Sequence, residues 1–96
     1  MNDARVRLGI SIKAFCDLIN QQRKRFNKSP LACDVILTRC KLLCSGAKVN
    51  MVQEGDTFFL EEEQAGRLAD IISSQFDIML SRSRLVRSCF NEEAGK

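Results

Sequence analysis

The chain contains no histidine and no long run of apolar residues, and these two absences exclude several classes of protein. Histidine is the commonest general base and the usual partner of a serine or cysteine nucleophile, so its absence argues against an enzyme. A membrane span needs about 18 consecutive apolar residues, so we expect none here. The first residues, M-N-D-A-R, lack the apolar segment of a secretory signal, and the sequence therefore predicts a cytoplasmic protein.

Glycine-rich phosphate loops are also missing, because the five glycines are scattered singly along the chain. Three neighbouring carboxylates, Glu61, Glu62 and Glu63, are typical of the first turn of a helix, where negative charge interacts favourably with the helix dipole. That interpretation gives them no role as a catalytic acid or base. We therefore expect no catalytic residues and no cofactor.

The five cysteines are an odd number in a chain with no sign of export, which argues against a disulfide framework. In a reducing compartment such residues behave as small apolar core residues. The alternative is a thiolate metal site, since Cys33, Cys40 and Cys44 share a helix face and Cys16 or Cys89 could supply a fourth ligand. Structural zinc sites usually draw on C-x-x-C turns, which this chain lacks, so we predict packing residues and no metal.

One stretch, residues 29–46, carries the clearest helix signals in the chain. Its sequence is S-P-L-A-C-D-V-I-L-T-R-C-K-L-L-C-S-G, in which Ser29 can cap the free amides, Pro30 suits the first position and Gly46 suits the stop. Apolar side chains point in most directions of this helix. We therefore predict a helix over about 30–45 that is buried on nearly every side and forms the centre of the core.

The remaining elements follow from changes of period along the chain. Strict alternation over 4–12 predicts a half-buried strand, and helical spacing after Ser11 predicts a helix to about Arg25. Residues 48–60 predict a hairpin that turns at Gly55, and residues 61–90 predict a long C-terminal helix, with one helix or two left open. The 96 residues thus form a single α+β domain, 1–96, in the order β-α-α-β-β-α.

Charge is distributed unevenly along this domain. The first 28 residues carry seven basic side chains against two aspartates, whereas residues 61–80 are predominantly acidic. A basic region of this kind is where a polyanion would bind. The basic side chains in it are Arg5, Arg7, Lys13, Arg23, Lys24, Arg25 and Lys28.

A strand, a helix, a short turn and a second, more apolar helix over residues 4–45 resemble a ribbon-helix-helix DNA-binding module of the MetJ and Arc type. The resemblance implies that two chains pair their first strands into a ribbon that enters the major groove, where Arg5 and Arg7 read bases. The helix start at Ser29 would hold a phosphate. We therefore predict a small DNA-binding regulator acting as a homodimer on duplex DNA, with further phosphate contacts from Arg23, Lys24, Arg25 and Lys28.

Two other interpretations remain open. The element order is also that of a type I KH domain, in which the first strand pairs with the hairpin of its own chain, although the G-x-x-G loop that clamps RNA is absent. The separation of a basic and an acidic region equally suits a small non-enzymatic inhibitor or adaptor of phage or mobile-element type. Such a protein would bind and block a larger host or defence protein complex.

Overall fold

A computed structural model describes residues 6–47 and 49–93, and it shows an α+β domain. The chain forms four strands, four α-helices and one 3₁₀ turn within that part. In chain order they are β1 (Val6–Ser11), α1 (Ile12–Arg25), α2 (Cys33–Ala47), β2 (Val52–Glu54), β3 (Thr57–Glu61), the 3₁₀ turn (Glu62–Gln64), α3 (Ala65–Gln75), α4 (Arg82–Arg87) and β4 (Phe90–Glu93).

The four strands form one antiparallel sheet in the order β2-β3-β1-β4. β1 is therefore an inner strand, which pairs with β3 through Leu8 and Leu60 and with β4 through Gly9 and Phe90. The ribbon-helix-helix arrangement requires β1 to pair with its own copy in a second chain. Strands of the same chain occupy both edges of β1 in this structure, so the pairing of two β1 strands stays a prediction that this arrangement does not support.

The predicted hairpin is present as β2 and β3, which turn at Gly55 with a φ of +61°. Glycine has no Cβ, so it adopts this left-handed conformation without steric cost. The hairpin strands cover a shorter range than predicted, since β2 begins only at Val52. β1 pairs with this hairpin inside one chain, as in the strand arrangement of a type I KH domain.

Alternation along the strands separates the two faces of the sheet. Leu8 and Ile10 of β1 are buried on one face, and Phe58 and Leu60 of β3 lie beside them. The ring of Phe15 from α1 meets the ring of Phe58 edge to face, with 5.7 Å between centroids. The core therefore lies between this face and the helices, where Leu68, Ile72, Phe76 and Leu85 complete it.

The opposite face of the sheet carries an aromatic pair above Gly9. A Cβ built on Gly9 would lie only 2.6 Å from Phe90 and 2.8 Å from Phe59, so the rings occupy the space that a side chain would need. These two rings meet edge to face at 6.2 Å. Close packing against the backbone explains why glycine occurs inside this strand.

Helix α1 begins and ends where the sequence predicts. The Ser11 hydroxyl accepts a hydrogen bond of 3.0 Å from the amide of Ala14, which satisfies one of the free amides of the first turn. The helix ends at Arg25, and Phe26 occupies its C-cap.

Helix α2 departs from the prediction at its start and in its burial. It begins at Cys33 rather than at residue 30, and the carbonyl of Ala32 accepts the amide of Ile36 at 3.1 Å. Over residues 33–46 of this helix the buried side chains are Ile36, Cys40 and Cys44, whereas Leu42 is 70% exposed. The prediction of a helix buried on nearly every side is wrong, because α1 and α3 pack against a single face of α2.

The segment 61–90 also differs from the predicted long helix. After α3 the chain turns at Phe76 and Asp77, whose φ is +55°, and the hydroxyl of Ser73 accepts the amide of Leu80 at 2.8 Å. Ser81 then caps α4 by accepting the amide of Arg84 at 3.1 Å. The chain enters β4 at Phe90, so a 3₁₀ turn and two short helices occupy most of the segment for which a long helix was predicted, with one helix or two left open.

Within the described residues, none of the helices has both the length and the apolar character needed to cross a membrane.

Candidate nucleic-acid interface

Three exposed cations lie where α1 ends and the chain turns toward α2. Lys24 and Arg25 are the last residues of α1, and Lys28 lies in the connection that follows. All three side chains are exposed, and over residues 6–47 and 49–93 no hydrogen bond or ion pair joins any of them to a carboxylate. We call these three residues, together with Arg39 described below, the basic cluster.

The backbone under the basic cluster is folded back on the end of α1. The amides of Asn27 and Lys28 donate to the carbonyls of Lys24 and Arg23 at 3.0 Å and 2.8 Å. Asn27 has a φ of +56°, a left-handed conformation that asparagine tolerates better than most residues. These bonds satisfy carbonyls at the helix end and give the connection one defined path.

Arg23 is the first of two side chains that fasten this connection. Its Nε donates to the carbonyl of Ser29 at 2.8 Å, and its Nη1 donates to the carbonyl of Phe76 at 2.8 Å. The guanidinium thus ties the end of α1 to the connection and to the end of α3. Two of its three nitrogens already bind protein carbonyls, so the predicted phosphate contact of Arg23 stays a prediction and Arg23 is not counted in the basic cluster.

Asn20 is the second side chain that holds the connection by hydrogen bonds, and it was not among the residues predicted from the sequence. Its Nδ2 donates to the carbonyl of Leu31 and its Oδ1 accepts the amide of Leu31, each at 2.9 Å. The side-chain amide thus donates one hydrogen bond to the backbone of Leu31 and accepts one from it, as a residue of a neighbouring β-strand would. An asparagine inside a helix weakly indicates that its side chain forms hydrogen bonds with backbone groups, and only the fold shows that the partner is Leu31.

Ser29 does not begin a helix in this structure. It lies four residues before Cys33, and its carbonyl accepts Nε of Arg23. The prediction that the amides following Ser29 form a helix start for phosphate is therefore wrong. Pro30 and the residues around it belong to the connection, whose path is set by Arg23 and Asn20.

Arg39 joins the basic cluster from α2. Its guanidinium lies 5.9 Å from the centre of the Phe76 ring, the same residue whose carbonyl binds Arg23. Arg39 is exposed, and a cation over an aromatic face gains a modest electrostatic attraction. Arg39 lies more than ten residues after Lys28 in the sequence and on a different helix, so the sequence gives no signal that groups it with residues 24–28.

Arg7 lies apart from the basic cluster, on the face of the sheet that carries the aromatic pair. Its Nη2 is 3.0 Å from Oε2 of Glu54, and its guanidinium lies 4.3 Å from the centre of the Phe59 ring. Both contacts hold the side chain flat against the sheet. Arg5, the other predicted base-reading residue, lies outside the described residues.

The cysteines divide into buried and exposed members. Cys16, Cys40 and Cys44 are buried as predicted, whereas Cys33 is exposed and Cys89 is half-buried. Burial raises the pKa of the Cys40 thiol to about 12 and that of Cys89 to about 11. Among the residues that the structure covers, no three histidine, cysteine or acidic side chains come together as a metal site.

Comparison of the whole chain with family models, curated proteins and solved structures finds no match.

Proposed function

We propose that the protein binds duplex DNA at its phosphates through the basic cluster, Lys24, Arg25, Lys28 and Arg39. The observation that supports this most is that three exposed cations of the cluster lie in, or directly before, a connection that is held by side-chain hydrogen bonds from Asn20 and Arg23. A fixed cluster loses less conformational entropy on binding than flexible side chains on a loose loop. Neutralising phosphates releases condensed counterions, which is the main source of such affinity.

The proposal differs from the ribbon-helix-helix prediction in how DNA is met. An inner β1 has no free edge for a second chain, and Arg7 is held by Glu54 and Phe59. We therefore assign base reading to neither Arg5 nor Arg7. Contacts to phosphates alone carry no sequence information, so we propose binding with little preference among sequences. We propose in addition that the protein acts as a regulator and that it does so as a homodimer.

Salt titration of DNA binding tests the proposal. Fluorescence anisotropy with a labelled duplex of arbitrary sequence should show an affinity that falls linearly with salt on logarithmic axes. The Lys24→Ala variant should weaken binding to every duplex alike and lower the steepness of the salt dependence by about one. The matched control is Lys41→Ala, which removes an exposed lysine of α2 outside the cluster.

Two results would contradict the proposal. One is the absence of duplex binding at low salt in the unaltered protein. The other is an equal loss of affinity in the Lys24 and Lys41 variants, since that would assign the attraction to overall charge rather than to the basic cluster.

A second candidate function rests on the exposed apolar side chains of α2. Leu42 stands 70% exposed beside a cavity of about 500 Å³ between α2 and α3, and Val35 is exposed two turns earlier. Exposed apolar residues that line a groove mark protein-binding surfaces. We propose as this alternative a small inhibitor or adaptor that binds a larger protein, of the phage or mobile-element type considered above.

The two functions respond oppositely to matched substitutions. If the alternative holds, Leu42→Asp abolishes a complex that survives nuclease treatment, and Lys24→Ala leaves that complex intact. If DNA binding holds, Lys24→Ala weakens duplex binding and Leu42→Asp does not.

A further inference from the structure

Two cysteines from different helices lie against each other in this fold. Cys33 is the first residue of α2 and is exposed, whereas Cys16 of α1 is 4% exposed directly beneath it. The Sγ of Cys16 donates to the carbonyl of Cys33 at 3.9 Å. An exposed cysteine whose backbone contacts a buried thiol places the two residues next to each other, as an attacking and a resolving cysteine are.

A cavity opens beside this pair. It has a volume of about 530 Å³ and is lined by both cysteines together with Lys13, Asp17 and Asp56 from α1 and the hairpin turn. The ammonium of Lys13 lies 3.1 Å from a carboxylate oxygen of Asp17 at the exposed rim. A small molecule that carries both carboxylate and ammonium groups, such as a thiol tripeptide, therefore meets side chains of opposite charge, Lys13 and the two aspartates, next to the two cysteines.

We propose that Cys33 and Cys16 form an oxidation site that reacts with a small-molecule disulfide of the glutathione class and closes into an intramolecular disulfide. Cys33 is the attacking residue because its side chain is exposed, and Cys16 is the resolving residue because it lies within contact distance. This goes beyond nucleic-acid binding and does not depend on it.

The reaction has two balanced thiol–disulfide exchanges. The Cys33 thiolate attacks one sulfur of oxidised glutathione, so that a mixed disulfide forms and one glutathione leaves as its thiolate. The Cys16 thiol then loses its proton, and its sulfur attacks the sulfur of Cys33. The second glutathione leaves and takes up a proton. Two protein thiols are oxidised to one disulfide, and one glutathione disulfide is reduced to two thiols.

The second exchange should be the slow one. The pKa of Cys16 is raised to about 12, first by burial and next by a hydrogen bond with the Cys33 side chain, with smaller contributions from Cys33, Cys40 and Asp17 as charges. Only the thiolate attacks, and its fraction rises tenfold with each pH unit well below the pKa. Conversion of the mixed disulfide should therefore accelerate about tenfold per pH unit between about pH 7 and 9.

The fold also limits the reaction to this pair. Cys40 and Cys44 are buried, and burial raises the pKa of both thiols. Cys89 is half-buried, and its Sγ donates to the carbonyl of Leu85 at 3.2 Å. A bond from Cys16 to Cys33 would also enclose the connection together with Lys24, Arg25 and Lys28 of the basic cluster, since all of these lie between the two cysteines.

Peptide mapping of the full chain tests the proposal directly. The reduced protein is treated with oxidised glutathione, free thiols are blocked, and the products are digested with trypsin without reductant. Every cysteine falls on its own tryptic peptide, since Cys16 lies in 14–23 and Cys33 in 29–39. Before the free thiols are blocked we expect an intact mass lower by two hydrogen atoms, and after digestion a cross-linked pair of the peptides 14–23 and 29–39.

Three variants separate the two steps. Cys16→Ser should stop at the first step and accumulate one glutathione on peptide 29–39, and Cys33→Ser should lose both the adduct and the cross-link. The control Cys89→Ser should still form the cross-link. The proposal is overturned if glutathione stays on Cys33 in the unaltered protein at pH 9, or if the cross-link joins any other two peptides.

Discussion

The two long helices of the domain, α1 and α2, meet the core in different ways. They have 14 and 15 residues, and they follow each other in the chain. α1 buries five side chains, among them Phe15 and Ile19, whereas over residues 33–46 α2 buries three, of which two are cysteines. α1 therefore contributes large apolar volume to the core, and α2 contributes a narrow row of small side chains.

The difference comes from what covers each helix. α1 lies against the sheet, where Phe15 meets Phe58 and the apolar face of β1 lies beside it. α2 contacts α1 and α3 along one side, which leaves Val35 and Leu42 at the surface. A sheet face covers a wide stripe of a helix, while contact with other helices covers only the side that faces them. The substitutions below test this contrast, from the largest expected effect to the smallest.

The largest loss should follow truncation in α1. Phe15 has no exposed surface, so Phe15→Ala removes a ring from a packed site and leaves a cavity against Phe58. We expect the free energy of unfolding to fall by about 3 to 5 kcal/mol, measured by urea denaturation. The control is Phe26→Ala, since Phe26 at the end of the same helix is 42% exposed and should cost much less. Equal losses at the two positions would show that α1 does not lie on the sheet as described.

A smaller loss is expected from the buried side of α2. Cys40 is 1% exposed, and Cys40→Ser places a hydroxyl in an apolar site that held a thiol. The expected decrease in the free energy of unfolding is about 1 to 3 kcal/mol. The exposed Cys33→Ser serves as the control and should change stability little. If Cys40→Ser lowered the free energy of unfolding less than Cys33→Ser, Cys40 would not lie on the buried side of α2.

The buried thiol of α2 should also make the domain sensitive to alkali. Burial raises the pKa of Cys40 from 9.0 to about 12, so the folded state holds this proton more tightly than the unfolded state. The stabilisation is complete below pH 9 and is lost as the pH rises through 12. Between pH 9 and 10 this thiol alone should lower the free energy of unfolding by about 1 kcal/mol. The Cys40→Ser protein lacks this contribution, so an equal slope in the two proteins would contradict the prediction.

The smallest effect is expected on the exposed side of α2. Leu42 is 70% exposed, so Leu42→Ala should change the free energy of unfolding by no more than about 0.5 kcal/mol. Thermal denaturation at two protein concentrations measures it. A loss of several kcal/mol that depends on protein concentration would mean that a second copy covers this side of α2 in solution.

Elements marked by local chemistry could be predicted from the chain alone. The cap at Ser11, the end of α1 at Arg25 and the turn at Gly55 each depend on a few adjacent residues, and the structure places all three as predicted. The α+β class also follows from local periods of two and 3.6 residues. Within the basic cluster, the exposed positions of Lys24, Arg25 and Lys28 agree with the basic helix end seen in the sequence.

Features that join distant segments could not be predicted in this way. Ser29 and Pro30 form a strong helix-start pattern, yet the contacts of Arg23 and Asn20 hold that segment as a connection. Arg39 is linked to the end of α1 only through Phe76, far along the chain, which contacts the guanidinium groups of both Arg39 and Arg23. Such contacts depend on how helices pack, which a single sequence does not state.

By itself the sequence determined the distribution of charge, the cap at Ser11 and the turn at Gly55, because those properties belong to residues or to short neighbourhoods. Tertiary structure alone decided that β1 is an inner strand, that α2 shows an apolar side to the surface and that Cys33 lies on Cys16. The physical reason is that burial and pairing depend on the neighbours that an element acquires, and one hydrophobic pattern is compatible with several sets of neighbours.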